Sequence, residues 1–546
     1  MYSIGLLCLW GLTANAATWH VATNGVDNSD PGRGESWALP YATISNAVSA
    51  AADQETILVS NGLYAITAAI AVTKNITLRS IDDNPTNTIV DANYLDRCFS
   101  MTSVTNATLS GFALQHGTNS SNGGGVYFNA TGTVQNCIFT ENVSSDSAGG
   151  LFMLEGIVSN CLFYGNTSTL TPRSKYCGGG GLMVRRNSRV VDCVIRDNES
   201  SSDGGGAYIY DYAHIIHCTV VSNKTTDSSS CGGGILLYGA LTQITNCSVS
   251  FNTGSSGGGG AVGDLGGGMI ANSRFLCNTG TYGGGVNFTK HMAWDQGNTL
   301  LDCDLIGNSA AIGGGIYYAQ YVTNNLIRRC RVQDNRTTGN GGGLYCANAN
   351  SNVLENLVIT GNSSGSDYGG LYLTGQSNLV RNCLIAMNTA NNYGGVYAGN
   401  RANIENCTIV SNVAATNGGG LYCNWLDVNS CVLNTIVYHN SATTYANWRR
   451  VNSDVTFSNS CTTPSVAAYG TGNITNDPAL VSLNEGNYRL ARGSPCINTG
   501  LSQDWMTGAT DLDGRPRIGR FDSGPVDMGC YEYLNAGTIF IFGLDK

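Results

Sequence analysis

The sequence predicts an all-β chain wound as a parallel β-solenoid. Two recurring signals and one compositional fact predict it. Twelve Asn residues close a short apolar segment in the same way: Asn142, Asn166, Asn198, Asn223, Asn252, Asn278, Asn308, Asn335, Asn362, Asn388, Asn412 and Asn440, spaced 24 to 32 residues apart. Between them recurs a glycine tract followed by an apolar residue, often a Tyr, and usually another apolar residue. Gly123-Gly124-Gly125-Val126-Tyr127-Phe128 and Gly418-Gly419-Gly420-Leu421-Tyr422-Cys423 are examples. Glycine makes up 72 of 546 residues, proline only 9, and charged residues 12%. With no Gly-X-Y period this excludes collagen, and the low charge excludes a typical disordered chain or coiled coil. The length exceeds the ~250–300 residues at which single cores stop growing, and the repeats select an elongated stack over several globular domains.

Each element follows from its residues. The segments that end at Asn are short, alternate with period two and are rich in Val and Ile, which makes them strands. Helical repeats would need a 3.6 period and far less glycine. Strands that recur with loops of variable length suit coils stacked ~4.8 Å apart, with the loops pointing outward. An Asn at one turn of every coil can form an amide ladder. Glycine permits the tight bend that re-enters a strand. Five residues before nine of the Asn stands a Cys: Cys137, Cys161, Cys193, Cys218, Cys247, Cys303, Cys330, Cys383 and Cys407; Ser273, Leu357 and Thr435 take the other three places. Stacked Cβ vectors run parallel and too far apart for the ~3.8 Å of a disulfide, so this is a packing column of small hydrophobes.

The ends read differently. Ile4–Thr13 is apolar and Ala14-Asn15-Ala16 fits a cleavage site, so residues 1–16 read as an export signal. Residues 17–108 hold the N-terminal cap and first coils. There Ile44, Ala47, Val48 and Ala51 share one helical face before the strand Thr56–Val59, which predicts a helical cap over the open end. The repeat domain spans 109–440, and a C-terminal cap region spans 441–546. No later stretch reaches the ~18–20 apolar residues of a membrane span. With 27 Lys+Arg against 37 Asp+Glu, nucleic acid is an unsuitable partner.

Three groups could carry function. After the glycine tracts, positions one and three are apolar in most coils and face in, so position two faces out. It holds Tyr127, Phe152, Tyr208, Tyr317, Tyr345, Tyr372, Tyr397 and Tyr422, the last five in consecutive coils. Such a column suits a polysaccharide or a surface protein, or serves only to stack on itself. Tyr317, Tyr345, Tyr372, Tyr397 and Tyr422 are the binding candidates. Position five holds Glu155, Arg186 and Asp211 in successive coils, with Asp264 and Lys290 further along. A carboxylate base beside a cation is what a polysaccharide lyase needs, and it is also what a solvated sheet face looks like. Near the C-terminus, Asp511-x-Asp513-Gly admits a bound Ca2+ as the one candidate cofactor, against a turn salt-bridged to Arg515 or Arg517. Cys496 and Cys530 are disulfide candidates, against two buried thiols.

The units Phe139-Thr140-Glu141-Asn142 and Phe163-Tyr164-Gly165-Asn166, paired with the glycine tracts, resemble the repeats of chlamydial-type polymorphic outer membrane proteins over about residues 109–440. The resemblance implies a right-handed β-helix passenger shown at a cell surface and associated with adhesion. The start, Trp19-His20-Val21 through Val59, resembles the N-terminal part of pectate-lyase-like β-helix proteins, which implies a pectin-lyase-like solenoid. Asp477-Pro478, Gly493-Ser494-Pro495-Cys496-Ile497, Asp511-Leu512-Asp513-Gly514-Arg515-Pro516-Arg517 and Asp527-Met528-Gly529-Cys530-Tyr531-Glu532 resemble the choice-of-anchor Q region of exported bacterial β-helix proteins. The expectation is a capped right-handed parallel β-helix of about 13–15 coils, roughly 60–70 Å long, secreted or surface-held. Three functions stay open: adhesion or glycan binding without catalysis, a polysaccharide-active enzyme, or a purely structural surface component.

Overall fold

The computed structural model describes residues 16–533 apart from 170–176, 229, 256–257, 290–296, 320–321, 425–429, 452–453 and 519–523. The export-signal reading rests on residues 1–16, of which 1–15 lie outside this range. The chain is a parallel β-solenoid. One rung shows how the sequence builds all of them. After Gly341-Gly342-Gly343 comes a first strand, Leu344–Cys346; then a second, Val353–Glu355; a third, Val358–Thr360; and a two-residue fourth, Ser363–Ser364. Alternation puts Leu344, Cys346, Leu354 and Ile359 inside, each fully or almost fully buried. Burying each Leu or Ile contributes roughly 1.5–3 kcal/mol, and each rung repeats the contribution.

First and second strands of successive rungs form one 30-stranded sheet, third strands a 16-stranded sheet, and fourth strands two short sheets of 5 and 6. Register is residue for residue: Leu344, Tyr345 and Cys346 pair with Leu371, Tyr372 and Leu373. The corner between second and third strands is a single left-handed residue, as at Asp302, Arg329, Asn356 and Asn382 with φ of 53, 52, 56 and 56°. Asn tolerates this conformation best because its short polar side chain bonds locally.

The two sequence signals turn out to be the two sides of one contact. A Cβ added to Gly343 would lie 2.6 Å from the Gly370 carbonyl oxygen and 3.0 Å from the Asn362 amide nitrogen. The last glycine of each tract therefore has no side chain because the Asn ladder runs against it. The Cys column is buried and free of disulfides, as its spacing implied. Each thiol bonds a carbonyl two residues earlier, for example Cys330 Sγ to Arg328 O at 3.3 Å.

The core runs unbroken from Val21 to Val466. The helical face near the N-terminus exists, since Ile44–Ala50 is helical and buries Ile44, Ala47 and Val48. A helical cap as such is not supported, because this seven-residue helix is the only α-helix among the described residues. Rungs continue past residue 440 to Cys461–Thr462. The described residues of 477–533 then run back along the flank of the solenoid as an arm. The corner Asn residues hold it: Asn459 Nδ2 donates to Thr499 O, Asn434 Nδ2 to Leu501 O and Asn382 Nδ2 to Thr510 O, at 3.0, 2.9 and 2.9 Å.

Candidate functional site

Parallel register stacks the outward residue of every first strand. Tyr317, Tyr345, Tyr372, Tyr397 and Tyr422 therefore form one column, with ring centroids 5.7, 4.5, 5.3 and 5.6 Å apart and interplanar angles of 5, 20, 28 and 10°. At such distances parallel rings cannot lie side by side in one plane, so each lies partly over the next in an offset stack. Their faces are partly used on each other, and the Tyr397 hydroxyl accepts from Asn424 Nδ2 at 2.9 Å. All five are half-buried. Burial pushes the Tyr345 phenol up to about 12 and raises those of Tyr317 and Tyr372. The hydroxyls of Tyr317, Tyr345 and Tyr372 therefore stay protonated and can donate.

A second column flanks the first, and the sequence reading missed it. Tyr368 and Tyr393 stack at 5.3 Å and 12° and meet Tyr397 at 67° each. Tyr393 also meets Tyr422 at 4.6 Å, and Tyr282 meets Tyr317 at 5.2 Å. Tyr368 and Tyr393 occupy the residue that opens the glycine tract, with φ of 68 and 59°. In nine coils this left-handed place is glycine; here it is a bulky residue, at a cost of roughly 1–2 kcal/mol each. The signal was legible: Tyr368-Gly369-Gly370 and Tyr393-Gly394-Gly395 put Tyr where nine of the other ten tracts put a third Gly and one puts Ala148.

The earlier members of the outward column have a different fate. Phe152 and Tyr208 are 4% and 1% exposed, buried with Ala148, Met183 and Leu236 against Tyr127, Tyr210 and Tyr238. They are a satellite core and not a surface. The usable strip is confined to the later coils. At its far end Tyr422 pairs in register with Arg449, whose guanidinium lies 4.2 Å over the Tyr445 ring.

Of the charged candidates, Glu155, Arg186 and Asp211 have described side chains, and among these three only Glu155 and Arg186 pair. Glu155 and Arg186 form an ion pair at 3.9 Å with Arg186 60% exposed, a weak surface contact. Asp211 sits in a left-handed corner, and burial raises its pKa against the opposing effect of Arg185. Arg185 itself lies 4.5 Å over Tyr210. Asp264 is in a strand paired with Tyr238, and nothing of its side chain is described; Lys290 lies outside the described residues.

The Asp511–Asp513 segment is a salt-bridged turn. Asp511 Oδ1 accepts from the N–H groups of Asp513 and Arg515 at 2.9 and 2.8 Å, and Oδ2 from Glu532 N–H at 2.8 Å. Asp513 pairs with Arg489 at 2.5 Å and Arg515 at 3.4 Å. Among the described residues no group of three or more His, Cys, Asp or Glu could hold a metal ion. Cys496 and Cys530 are both buried and free, the second of the two readings the sequence left open. Cys496 packs with Cys461, while the Cys530 N–H donates to Thr408 Oγ1 at 3.1 Å. The arm's fold separates them because each thiol docks on a different rung.

A family described as the right-handed beta helix region matches residues 292–442. The solenoid is accordingly right-handed, with about 14 turns. A mannuronic-acid-specific polysaccharide family 6 lyase from human gut microbiota is similar at 11% identity, covering 86% of this chain and 90% of its own, with a TM-score of 0.31. A PL6-family alginate lyase is similar at 14%, covering 91% and 58%, with a TM-score of 0.36. The A-module of a mannuronan C-5 epimerase of Azotobacter vinelandii is similar at 11%, covering 74% and 91%, with a TM-score of 0.30. Likeness this distant carries no argument about chemistry. No curated protein matches the chain.

Proposed function

We propose that this is a non-catalytic β-helix protein that binds a glycan along the tyrosine strip of its later coils. The observation that carries the reading is the pair Tyr368 and Tyr393. These positions accept a left-handed Tyr where glycine is the rule, and the result is a strip two rings wide. A core or a simple stacking ladder has no need of the second column. Because ring faces are partly used between neighbours, the contact surface is hydroxyls and ring edges, an amphipathic mixture that suits the hydroxyls and C–H groups of a sugar chain.

Export and display at or beyond the cell surface are part of the same proposal. They are supported by the likeness of the repeats to chlamydial-type polymorphic outer membrane proteins, and of residues 477–532 to the choice-of-anchor Q region. Among the described residues no helix is long and apolar enough to cross a membrane.

The test is affinity electrophoresis of the full chain in gels cast with a panel of polysaccharides. The wild-type chain is expected to be retarded by at least one of them. Changing Tyr345, Tyr372 and Tyr397 together to Ser should abolish the retardation while the thermal transition moves little. A large loss of stability with unchanged retardation would make the strip structural. Unsaturated products on incubation with pectate or alginate would overturn the non-catalytic reading.

A further inference from the structure

The flank that carries the C-terminal arm is longer than the arm. The corner residue between second and third strands forms a track up the solenoid, and the arm follows it from Asn459 to Asn382. Under the arm, the outward residues that open the third strands are Leu384, Thr408 and Ile436, which pack against or bond to arm residues such as Tyr488, Met528 and Cys530. The arm's Thr510–Gly514 turn then ends the covered stretch beside Asn356.

Beyond that turn the same track is an open groove of about 600 Å³, walled by the turn and by four successive rungs. Its chemistry changes where the cover ends. The residues opening the third strands become Arg274, Asp304 and Arg331, and the corners become Asn272, Asp302 and Arg329. Arg329 grips Asp302 through two bonds of 2.6 and 2.8 Å, and Arg331 grips Asp304 at 3.1 and 3.2 Å. Arg274 reaches Asp304 only at 3.8 Å and is 60% exposed. Three guanidiniums thus face two carboxylates, and the third keeps its fork of donors free. The further carboxylate in the wall, Asp511, is 2% exposed and accepts from N–H groups of its own turn and of Glu532.

We infer that this groove binds a short acidic saccharide, with Arg274 taking a carboxylate or sulfate group and Asp302 and Asp304 accepting sugar hydroxyls. A planar guanidinium matches either anion with two parallel bonds. The volume is within the range of small-ligand sites and holds about two or three sugar units. An acidic peptide fits less well. The third strands of these rungs pair on both sides, so they offer a peptide no edge to extend, and Asp302 and Asp304 would repel its carboxylates. The site is separate from the tyrosine strip and stands without it.

Isothermal titration calorimetry of the full chain tests the inference with a uronate trisaccharide, a sulfated disaccharide, a neutral trisaccharide and an acidic hexapeptide. At least one acidic sugar should bind saturably, tenfold or more tighter than the neutral sugar and the peptide. Its affinity should fall as salt rises. The uronate and sulfate arms identify the anionic group. Arg274→Gln should weaken that binding at least tenfold, and Arg274→Lys, which keeps the charge but loses the fork, should weaken it less. The Tyr345, Tyr372 and Tyr397 triple change should leave it intact. Arg274 is exposed, so both variants should melt like wild type. Failure of both acidic sugars to bind, equal binding of the neutral sugar or the peptide, or wild-type affinity in Arg274→Gln would each overturn the site.

Discussion

Asn335 donates twice to one atom of its neighbour a rung away. Its side-chain nitrogen and its backbone N–H both bond Asn362 Oδ1, at 2.9 and 3.0 Å. Its own Oδ1 accepts the same pair from Asn308, at 3.0 and 2.9 Å, and its side-chain nitrogen also donates to Leu305 O at 2.9 Å. The ladder repeats this arrangement along the solenoid with every member buried.

Asn335→Ala should therefore be among the most damaging single changes. It strands the buried Asn308 N–H and amide groups and the Leu305 carbonyl, each worth about 1–3 kcal/mol when left unpaired. Guanidinium denaturation should show a loss of about 3 kcal/mol or more. A loss under about 1 kcal/mol would mean that water replaces the ladder at no real cost.

The second tyrosine column can be separated from the backbone it strains. In Tyr368→Gly with Tyr393→Gly, relief of the left-handed conformation offsets the lost ring contacts. Stability should then change by no more than about 1 kcal/mol. Glycan retardation should fall clearly below wild type. Unchanged retardation would confine binding to the first column or remove it from the strip.

Docking of the arm should depend on pH. Glu532 is buried beside Arg517 and Asp527, and burial pushes its pKa up to about 7 from an ordinary 4.5, against the pull of Arg517. Burial raises Asp511 as well. The folded arm thus holds the Glu532 proton more tightly than the unfolded arm does. The associated stability is fully present below about pH 4.5 and is lost as pH rises through 7. Hydrogen exchange of the amides in residues 498–533, corrected for intrinsic rates, should show stronger protection at pH 5 than at pH 8. Glu532→Gln should flatten the difference. Stronger protection at pH 8 would reverse the assignment.

Thiol labelling should sort the cysteines by place. Cys277 is exposed and should react first under native conditions. Burial raises the thiols of Cys161, Cys330 and Cys383, which keeps them protonated and inert until the chain unfolds. In denaturant without reductant, Cys496 and Cys530 should both label. A peptide cross-linked through them would contradict the fold of the arm.

The sequence by itself determined the solenoid, its register and its inner columns. Asn335 meets Asn362, and Cys303 meets Cys330, one period along the chain. A contact between equivalent places in adjacent repeats leaves a mark in both, so periodicity alone reveals it. The outward Tyr place was legible for the same reason. What only the tertiary structure decided lacks a period. Tyr208 and Tyr345 hold equivalent places, yet one is buried in a satellite core and the other faces solvent. Asn382 bonds Thr510 across 128 residues, and nothing local in either residue anticipates it. The open groove exists because the arm stops beside Asn356, and the second tyrosine column because a left-handed corner turns Tyr368 and Tyr393 beside the first. Each of these is set by which unrelated segments share a surface, and that depends on how the whole chain folds back on itself.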